Sequence, residues 1–136
     1  MSKKSIKNLI CCLVLMFCMG CSNLQDKPFS TIYYNQGNIS RTDSERSMEK
    51  RIKTISATTS RVGNNLLHAQ VKLQNVKSYS IPIRYKFSWI IDNGTIDDTS
   101  STWKNDTISG GQTITLSDIA TDSKTNDFKL ELKPLK

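Results

Sequence analysis

The chain has 136 residues, a formal net charge of +7 and a mean hydropathy of −0.41. These values fit one soluble domain with an appendage. The basic residues are scattered and do not form runs, which argues against a nucleic-acid-binding protein. Lys3, Lys4 and Lys7 lie at the amino terminus, and the rest of the chain carries only about four surplus positive charges.

The first 21 residues have the order of a signal peptide. The three lysines precede an uncharged apolar run from Leu9 to Met19, which is followed by Gly20 and Cys21. A helix that spans a bilayer needs about 20 apolar residues, and this run is shorter. The pattern therefore predicts a signal sequence that is removed, comprising residues 1–20.

The end of this leader, Cys18-Met19-Gly20-Cys21, resembles a lipobox, the cleavage motif of bacterial lipoproteins. Gly20 and Cys21 match the motif, whereas Cys18 stands where leucine is usual. The resemblance implies cleavage before Cys21, diacylglycerol on its sulfur and acylation of the new amino terminus. Several acyl chains give stable anchoring. Because Ser22 follows the cysteine in place of Asp, the sorting pattern implies transfer to the outer membrane.

All four cysteines lie in the first 21 residues. After cleavage only Cys21 remains, so the rest of the chain has no disulfide even in an oxidising compartment. The cysteine spacing fits no common zinc pattern, and no histidine is near. We therefore expect neither a metal nor another cofactor.

Residues 22–50 are polar and lack sustained periodicity, which predicts that 21–50 is a lipidated cysteine and a linker. A short helix with Thr42 or Asp43 as its cap is expected near the end of this linker. Tyr33-Tyr34 is either a strand fragment that packs on the domain edge or an exposed contact for a partner.

From residue 51 to 136 the hydrophobic period is two, which is typical of strands. Residues 81–91 have Ile, Ile, Tyr, Phe, Trp and Ile at the odd positions, and residues 67–74 also alternate. The short link between these two segments predicts a hairpin. Further strands are expected at 52–59, 102–108, 112–116 and 128–132. The predicted fold is all-β, a small antiparallel β-sandwich that is immunoglobulin-like in outline.

These stretches resemble the YcfL-like family of bacterial envelope lipoproteins. The resemblance covers residues 51–136, and Ala120-Thr121 departs from it because the family tends to have alanine followed by proline. It implies an envelope lipoprotein with a sandwich-like fold and no known activity. The residues that carry it are Asn75, Tyr85-Lys86-Phe87-Ser88-Trp89, Asp92-Asn93-Gly94, Trp103, Gly110-Gly111 and Phe128-Lys129-Leu130-Glu131-Leu132.

Few residues suggest catalysis. His68 is the only histidine and falls on the solvent side of its strand, and Asp97-Asp98 reads as part of a solvated loop. No G-x-S-x-G motif occurs. Trp89 and Trp103 are expected in the core, although an exposed Trp103 would suit a groove that stacks on sugars.

The predicted hairpin generates one candidate contact surface. If Leu73 pairs with Ile83, then Lys72 lies opposite Arg84, with Lys86 nearby. Lys72, Arg84 and Lys86 then form either a cationic stripe for an anionic polymer, such as peptidoglycan or lipopolysaccharide, or a solvated face.

The sequence thus predicts a non-enzymatic binding or accessory module, held by lipid on the periplasmic face of the outer membrane. Its partner would be an envelope protein or a cell-wall glycan. The alternatives are a surface-exposed structural or adhesin-like lipoprotein and a small hydrolase.

Overall fold

The computed structural model of the chain describes residues 30–43, residue 48 and residues 50–135, which form two antiparallel β-sheets. The predicted all-β sandwich is confirmed. The nine strands are β1 (Ser30–Asn35), β2 (Asn38–Asp43), β3 (Ile52–Val62), β4 (Leu66–Asn75), β5 (Ile81–Ile91), β6 (Ile96–Asp97), β7 (Lys104–Ile108), β8 (Thr113–Ile119) and β9 (Thr125–Pro134).

The larger sheet has the order β2-β1-β9-β5, with the short strands β6 and β7 both paired to the far side of β5. The smaller sheet has the order β3-β4-β8. Alternate residues of each strand face the space between the sheets, as expected for a sandwich. The core fills that space.

Aromatic rings dominate the centre of the core. Phe87 and Trp89 on β5 and Phe128 on β9 are almost completely buried, and the Phe87 centroid lies 5.8 Å from Trp89 and 5.6 Å from Phe128. Tyr34 on β1 stacks on Phe128 at 5.2 Å. Aromatic pairs at these distances stabilise a core beyond the area that they bury. The prediction for Trp89 is confirmed.

The predicted linker over residues 21–50 is wrong for residues 30–43. These residues form the hairpin β1–β2, and β1 inserts between β2 and β9. The hairpin gave a weak sequence signal because only Ile32 and Tyr34 pack apolar side chains against the core. Thr42 and Asp43, the predicted helix caps, belong to β2, and most of the predicted helix lies outside the described residues.

The predicted hairpin between β4 and β5 is also wrong. β4 pairs with β3 and β8, whereas β5 pairs with β9, so the two strands lie in different sheets. Residues 76–80 therefore cross from one sheet to the other. The alternation of apolar and polar residues shows that each strand has one buried face. The same pattern arises whether two strands pair edge to edge in one sheet or face each other across the core.

Asn75 organises this crossover. Its side chain is fully buried, and its Nδ2 donates to the carbonyl oxygens of Tyr79 at 2.7 Å and Ile108 at 2.9 Å. Its Oδ1 accepts a hydrogen bond from the Lys77 N–H at 2.9 Å. One amide thus satisfies three backbone groups from two segments and fixes the point where the chain changes sheet.

A second crossover, residues 109–112, joins β7 to β8 and packs against the first. The Gly111 N–H donates to the Lys77 carbonyl at 2.8 Å, and the Asn75 N–H donates to the Gln112 carbonyl at 2.9 Å. A Cβ on Gly110 would overlap the backbone of Ser78. The close approach of the two crossovers therefore requires glycine at position 110.

Side chains close both edges of the sandwich. Arg41 on β2 donates from Nη1 to the Ile52 carbonyl at 2.7 Å and to the Thr54 hydroxyl at 3.1 Å, both on β3. Its Nε lies 3.0 Å from Asp43 Oδ1. At the opposite edge Lys104 pairs with Asp118 at 3.2 Å, and this pair is more exposed. The Arg41 contacts are better shielded from water and should contribute more stability than the Lys104 pair.

We expect Asn75→Ala to lower the free energy of unfolding by about 2–3 kcal/mol, because the substitution leaves buried backbone groups without partners. Urea denaturation measures the change. Asn105→Ala is the matched control: Asn105 is exposed on β7, and its replacement should cost less than about 0.5 kcal/mol. Equal urea midpoints for the two variants would contradict the role given to Asn75.

We expect Gly110→Ala to destabilise the fold by about 3 kcal/mol through overlap with the crossover backbone. Gly111→Ala serves as control, because a Cβ there meets open space and only the positive φ of 71° is strained, at about 1 kcal/mol. Thermal or urea unfolding of both variants tests the difference. A loss at Gly111 as large as that at Gly110 would show that backbone strain, and not close packing, explains the glycine pair.

Candidate functional site

The most distinctive surface group lies on the outer face of the larger sheet. Trp103, just before β7, has three cations around its ring: Lys133 Nζ lies 4.5 Å from the ring centroid, Lys86 Nζ 5.2 Å and Arg84 Cζ 5.6 Å. All three distances fall within the range of cation–π interactions. We call Arg84, Lys86, Trp103 and Lys133 the Trp103 cluster.

Strand alternation places these cations together. Arg84 and Lys86 are the outward residues between inward Ile83, Tyr85 and Phe87 on β5. Lys133 pairs directly with Arg84 across to β9. The prediction that Trp103 lies in the core is wrong. Lys104 pairs with Tyr85, and the residue before Lys104 therefore falls on the outer side of the sheet.

The predicted cationic stripe is therefore only partly assembled. Arg84 and Lys86 lie together, but Lys72 lies on the outer face of the smaller sheet, opposite Ser56 and Thr115. The predicted pairing of Lys72 with Arg84 fails because their strands belong to different sheets. The expectation that Arg84 and Lys86 contact an anionic partner remains a prediction, and Lys133 and Trp103 join them.

The charge around the cluster is unbalanced. Glu131 forms ion pairs with both Lys86, at 3.6 Å, and Lys129, at 3.1 Å. Within the described residues Arg84 and Lys133 form no ion pair. The Glu131 carboxylate thus partly neutralises a group of four basic side chains, Arg84, Lys86, Lys129 and Lys133. The excess positive charge can attract an acidic group.

A buried hydroxyl lies on the same face. Ser88, two residues beyond Lys86, is completely buried, and its Oγ has no hydrogen-bond partner among the described residues. Buried hydroxyls in folded proteins usually have a partner. Ser101, two residues before Trp103, carries a second hydroxyl of this kind. The segment beside Trp103 thus retains unused hydrogen-bonding capacity.

Other titratable candidates are isolated. His68 lies on the central strand of the smaller sheet between Ser60 and Ile119 and makes no hydrogen bond or ion pair within the described part of the chain. Hydrogen bonds from the Thr99 hydroxyl and N–H lower the pKa of exposed Asp97. That carboxylate stabilises its own loop.

Burial raises the pKa of the Tyr85 hydroxyl, and the charge of Lys104 partly opposes the shift. Over residues 30–43, 48 and 50–135 no three His, Cys, Asp or Glu side chains are grouped to hold a metal ion. In the same ranges no helix has the length and apolar character to cross a bilayer. Cys21, the predicted lipidation site, lies outside these residues.

A recess of about 530 Å³ opens at the end of the sandwich remote from the two crossovers. Tyr34, whose hydroxyl accepts a hydrogen bond from Thr59 at 3.2 Å, forms part of its wall. The Gln36 N–H donates to Asp127 at 2.9 Å at its rim. The polar groups here hold the β1–β2 turn against β9, and this accounts for their arrangement.

A shallow groove of about 300 Å³ crosses the outer face of the smaller sheet. It is polar and contains Lys72, the remaining residue of the predicted stripe. Its other lining residues are Ser56, Thr58, Gln70 and Thr115. It carries neither an aromatic side chain nor a concentration of charge, so the Trp103 cluster is the stronger candidate.

Comparisons with known proteins are consistent with this fold. A family model described as "Protein of unknown function (DUF1425)" matches residues 40–134. The crystal structure of Campylobacter jejuni cj0090 is 25% identical, with 60% of this chain and 85% of that chain covered at a TM-score of 0.53. The crystal structure of a DUF1425 family member from Shewanella sp. pv-4 is 17% identical, with 83% and 95% covered at a TM-score of 0.54, and shares the fold. No curated protein matches significantly.

The cationic setting of Trp103 predicts selective fluorescence quenching. At constant low ionic strength, iodide should quench the emission several-fold more strongly than caesium, because the cations concentrate anions beside the ring. Trp89 is only 1% exposed and should contribute little. Trp103→Phe should abolish the quenching, and Arg84→Gln with Lys133→Gln should lower the ratio of iodide quenching to caesium quenching. Equal quenching by the two ions in the unaltered chain would contradict the described electrostatics.

Proposed function

We propose that this chain, which belongs to the DUF1425 family of proteins of unknown function, is a lipid-anchored binding module of the bacterial envelope. It acts without catalysis, on the periplasmic face of the outer membrane, and the Trp103 cluster contacts an acidic envelope component. The observation that carries the binding role is the convergence of three cations on one half-exposed indole.

The sequence supports the proposed location in the bacterial envelope. The basic start, the short apolar run and the Gly20-Cys21 pair have the order of a lipoprotein leader, and the resemblance to YcfL-like envelope lipoproteins points the same way. The diacylglyceryl group on Cys21 and the acylated amino terminus would hold the domain at the membrane.

The fold changes the expected reach of the module. Because β1 begins at Ser30, only residues 22–29 separate Cys21 from the first strand. Even a fully extended segment of that length spans at most about 30 Å. The domain is therefore a module held close to the bilayer, and not one on a long tether.

The Trp103 cluster suits an acidic partner. Arg84 presents a planar guanidinium with several donors, Lys86 and Lys133 present ammonium groups, and Trp103 provides a flat apolar surface. A carboxylate or phosphate that approaches this face would offset the mutual repulsion of the cations. The single Glu131 carboxylate leaves room for such a charge.

We expect labelled palmitate to enter the full chain in cells and to be lost in Cys21→Ser. Cys12→Ser, in the same leader, is the matched control and should retain the label. A photoreactive residue at exposed Thr102, beside Trp103, should crosslink to an acidic envelope component, and Arg84→Glu with Lys133→Glu should abolish that crosslink without affecting the label.

The two readouts separate the two parts of the proposal. An unlabelled wild-type chain, or a labelled Cys21→Ser chain, would overturn the anchor. A crosslink that survives charge reversal would remove the Trp103 cluster as the contact face.

A further inference from the structure

The end of the sandwich where the described chain begins combines apolar and basic side chains. Ser30 pairs with Leu132, two residues before the end of β9 at Pro134, and this row continues to Tyr85, four residues from the start of β5 at Ile81. Both crossovers, 76–80 and 109–112, lie at this end. We call it the tether end, because residues 22–29 join the domain here.

Large apolar side chains are exposed at the tether end. Tyr79 is 54% exposed, Val76 39% and Leu135 36%. Val76 and Tyr79 belong to the first crossover, and the Leu135 N–H donates to the Pro82 carbonyl two residues beyond Ser80. The three side chains therefore project from neighbouring segments at one end of the molecule.

Basic side chains accompany them. Lys77 is exposed between Val76 and Ser78, and Lys133 lies two residues before Leu135. Lys133 pairs with Arg84, and through it the tether end joins the Trp103 cluster. Neighbouring residues of β5 and β9 thus link Pro82 and Leu135 at this end to the Trp103 cluster.

This composition matches a bilayer surface. Trp and Tyr favour the level of the lipid head groups, where an apolar ring and a polar edge are both accommodated. Lys and Arg extend apolar stems while their charges remain at the phosphates. A basic residue close to an anionic membrane improves partitioning by about fivefold.

The position at which the chain enters the domain also supports the bilayer as the partner. The strand spacing of about 4.8 Å places the Ser30 position roughly 10 Å from β5, two strands away. Ser30 is in register with Tyr85, four residues from the Ile81 end of β5 and six from its Ile91 end, so a short segment to an acylated Cys21 enters the domain nearer this end. A glycan would account for the cations but not for the exposed Val76 and Leu135.

We propose that the tether end and the Trp103 cluster form a docking surface for anionic phospholipid head groups. The acidic partner of the proposed function is then the bilayer that carries the anchor. The inference rests on the proposed function, because the lipid on Cys21 is what would hold the domain near the bilayer. The docking surface itself is a property of the folded domain and can be measured without acylation.

The test uses the whole chain after residue 20, with Cys21→Ser so that no acyl chain contributes. Flotation should show binding to vesicles of phosphatidylethanolamine with 30% phosphatidylglycerol, and at least about tenfold weaker binding to phosphatidylcholine vesicles. Trp103 emission should shift to shorter wavelength when the anionic vesicles are added.

Two double variants of equal charge change identify the surface. Arg84→Glu with Lys133→Glu should reduce the partition coefficient by at least about tenfold. Lys72→Glu with Lys124→Glu, at exposed positions outside the proposed surface, should reduce it by less than about threefold. Urea midpoints for all variants establish that the fold is retained.

Val76→Ser with Tyr79→Ser tests the apolar part and should weaken binding to anionic vesicles further. Equal loss in the two charge variants, or absence of binding by the folded chain, would overturn the docking surface. Binding to purified sacculi in place of vesicles would also overturn it and assign the cluster to a glycan. Palmitate labelling is independent of all these outcomes, so a failed anchor and a failed docking surface are distinguishable.

Discussion

The fold depends on the place where the chain leaves the smaller sheet for the larger one. Asn75 holds that place by satisfying three backbone groups with a single buried amide. Gly110 allows the second crossover to pack against the first at backbone contact. Because β5 follows directly from this point, the crossover fixes which of its residues face the core and which face outward. Asn75 thus helps to determine that Arg84 and Lys86 face outward, although Asn75 itself is not part of that surface.

The Trp103 cluster is a consequence of how the larger sheet is built. The strands β6 and β7 pair with different parts of β5, and the loop between them brings Trp103 over the outer face. The same sheet contains β1, so the point where the chain enters the domain and the basic face lie on adjoining strands. The first described strand and the basic face therefore belong to one sheet, whereas the smaller sheet mainly covers the core.

The sequence predicted the strands better than their partners. The alternation over Ile81–Ile91 matched β5 over its whole length, because a half-buried strand leaves a period of two. The pairing of Lys72 with Arg84 failed since neighbours in sequence were assumed to be neighbours in the sheet. Polar edge residues concealed the β1–β2 hairpin, and the position of Trp103 depended on a loop path that no local pattern encodes. Lys133 was missed because its contact with Arg84 joins distant parts of the chain.

The antiparallel pairing of β1 with β9 links the first described strand to the last. Its paired residues, such as Tyr34 and Phe128, are separated in sequence by almost the whole domain. Contacts between residues so far apart along the chain form slowly. During synthesis, the larger sheet cannot close until the carboxyl-terminal strand has also been made. The emerging chain therefore remains incomplete, with Ile32 and Tyr34 lacking their partners on β9, until the last strand is available. Such an interval is when assistance from a holding chaperone would matter most.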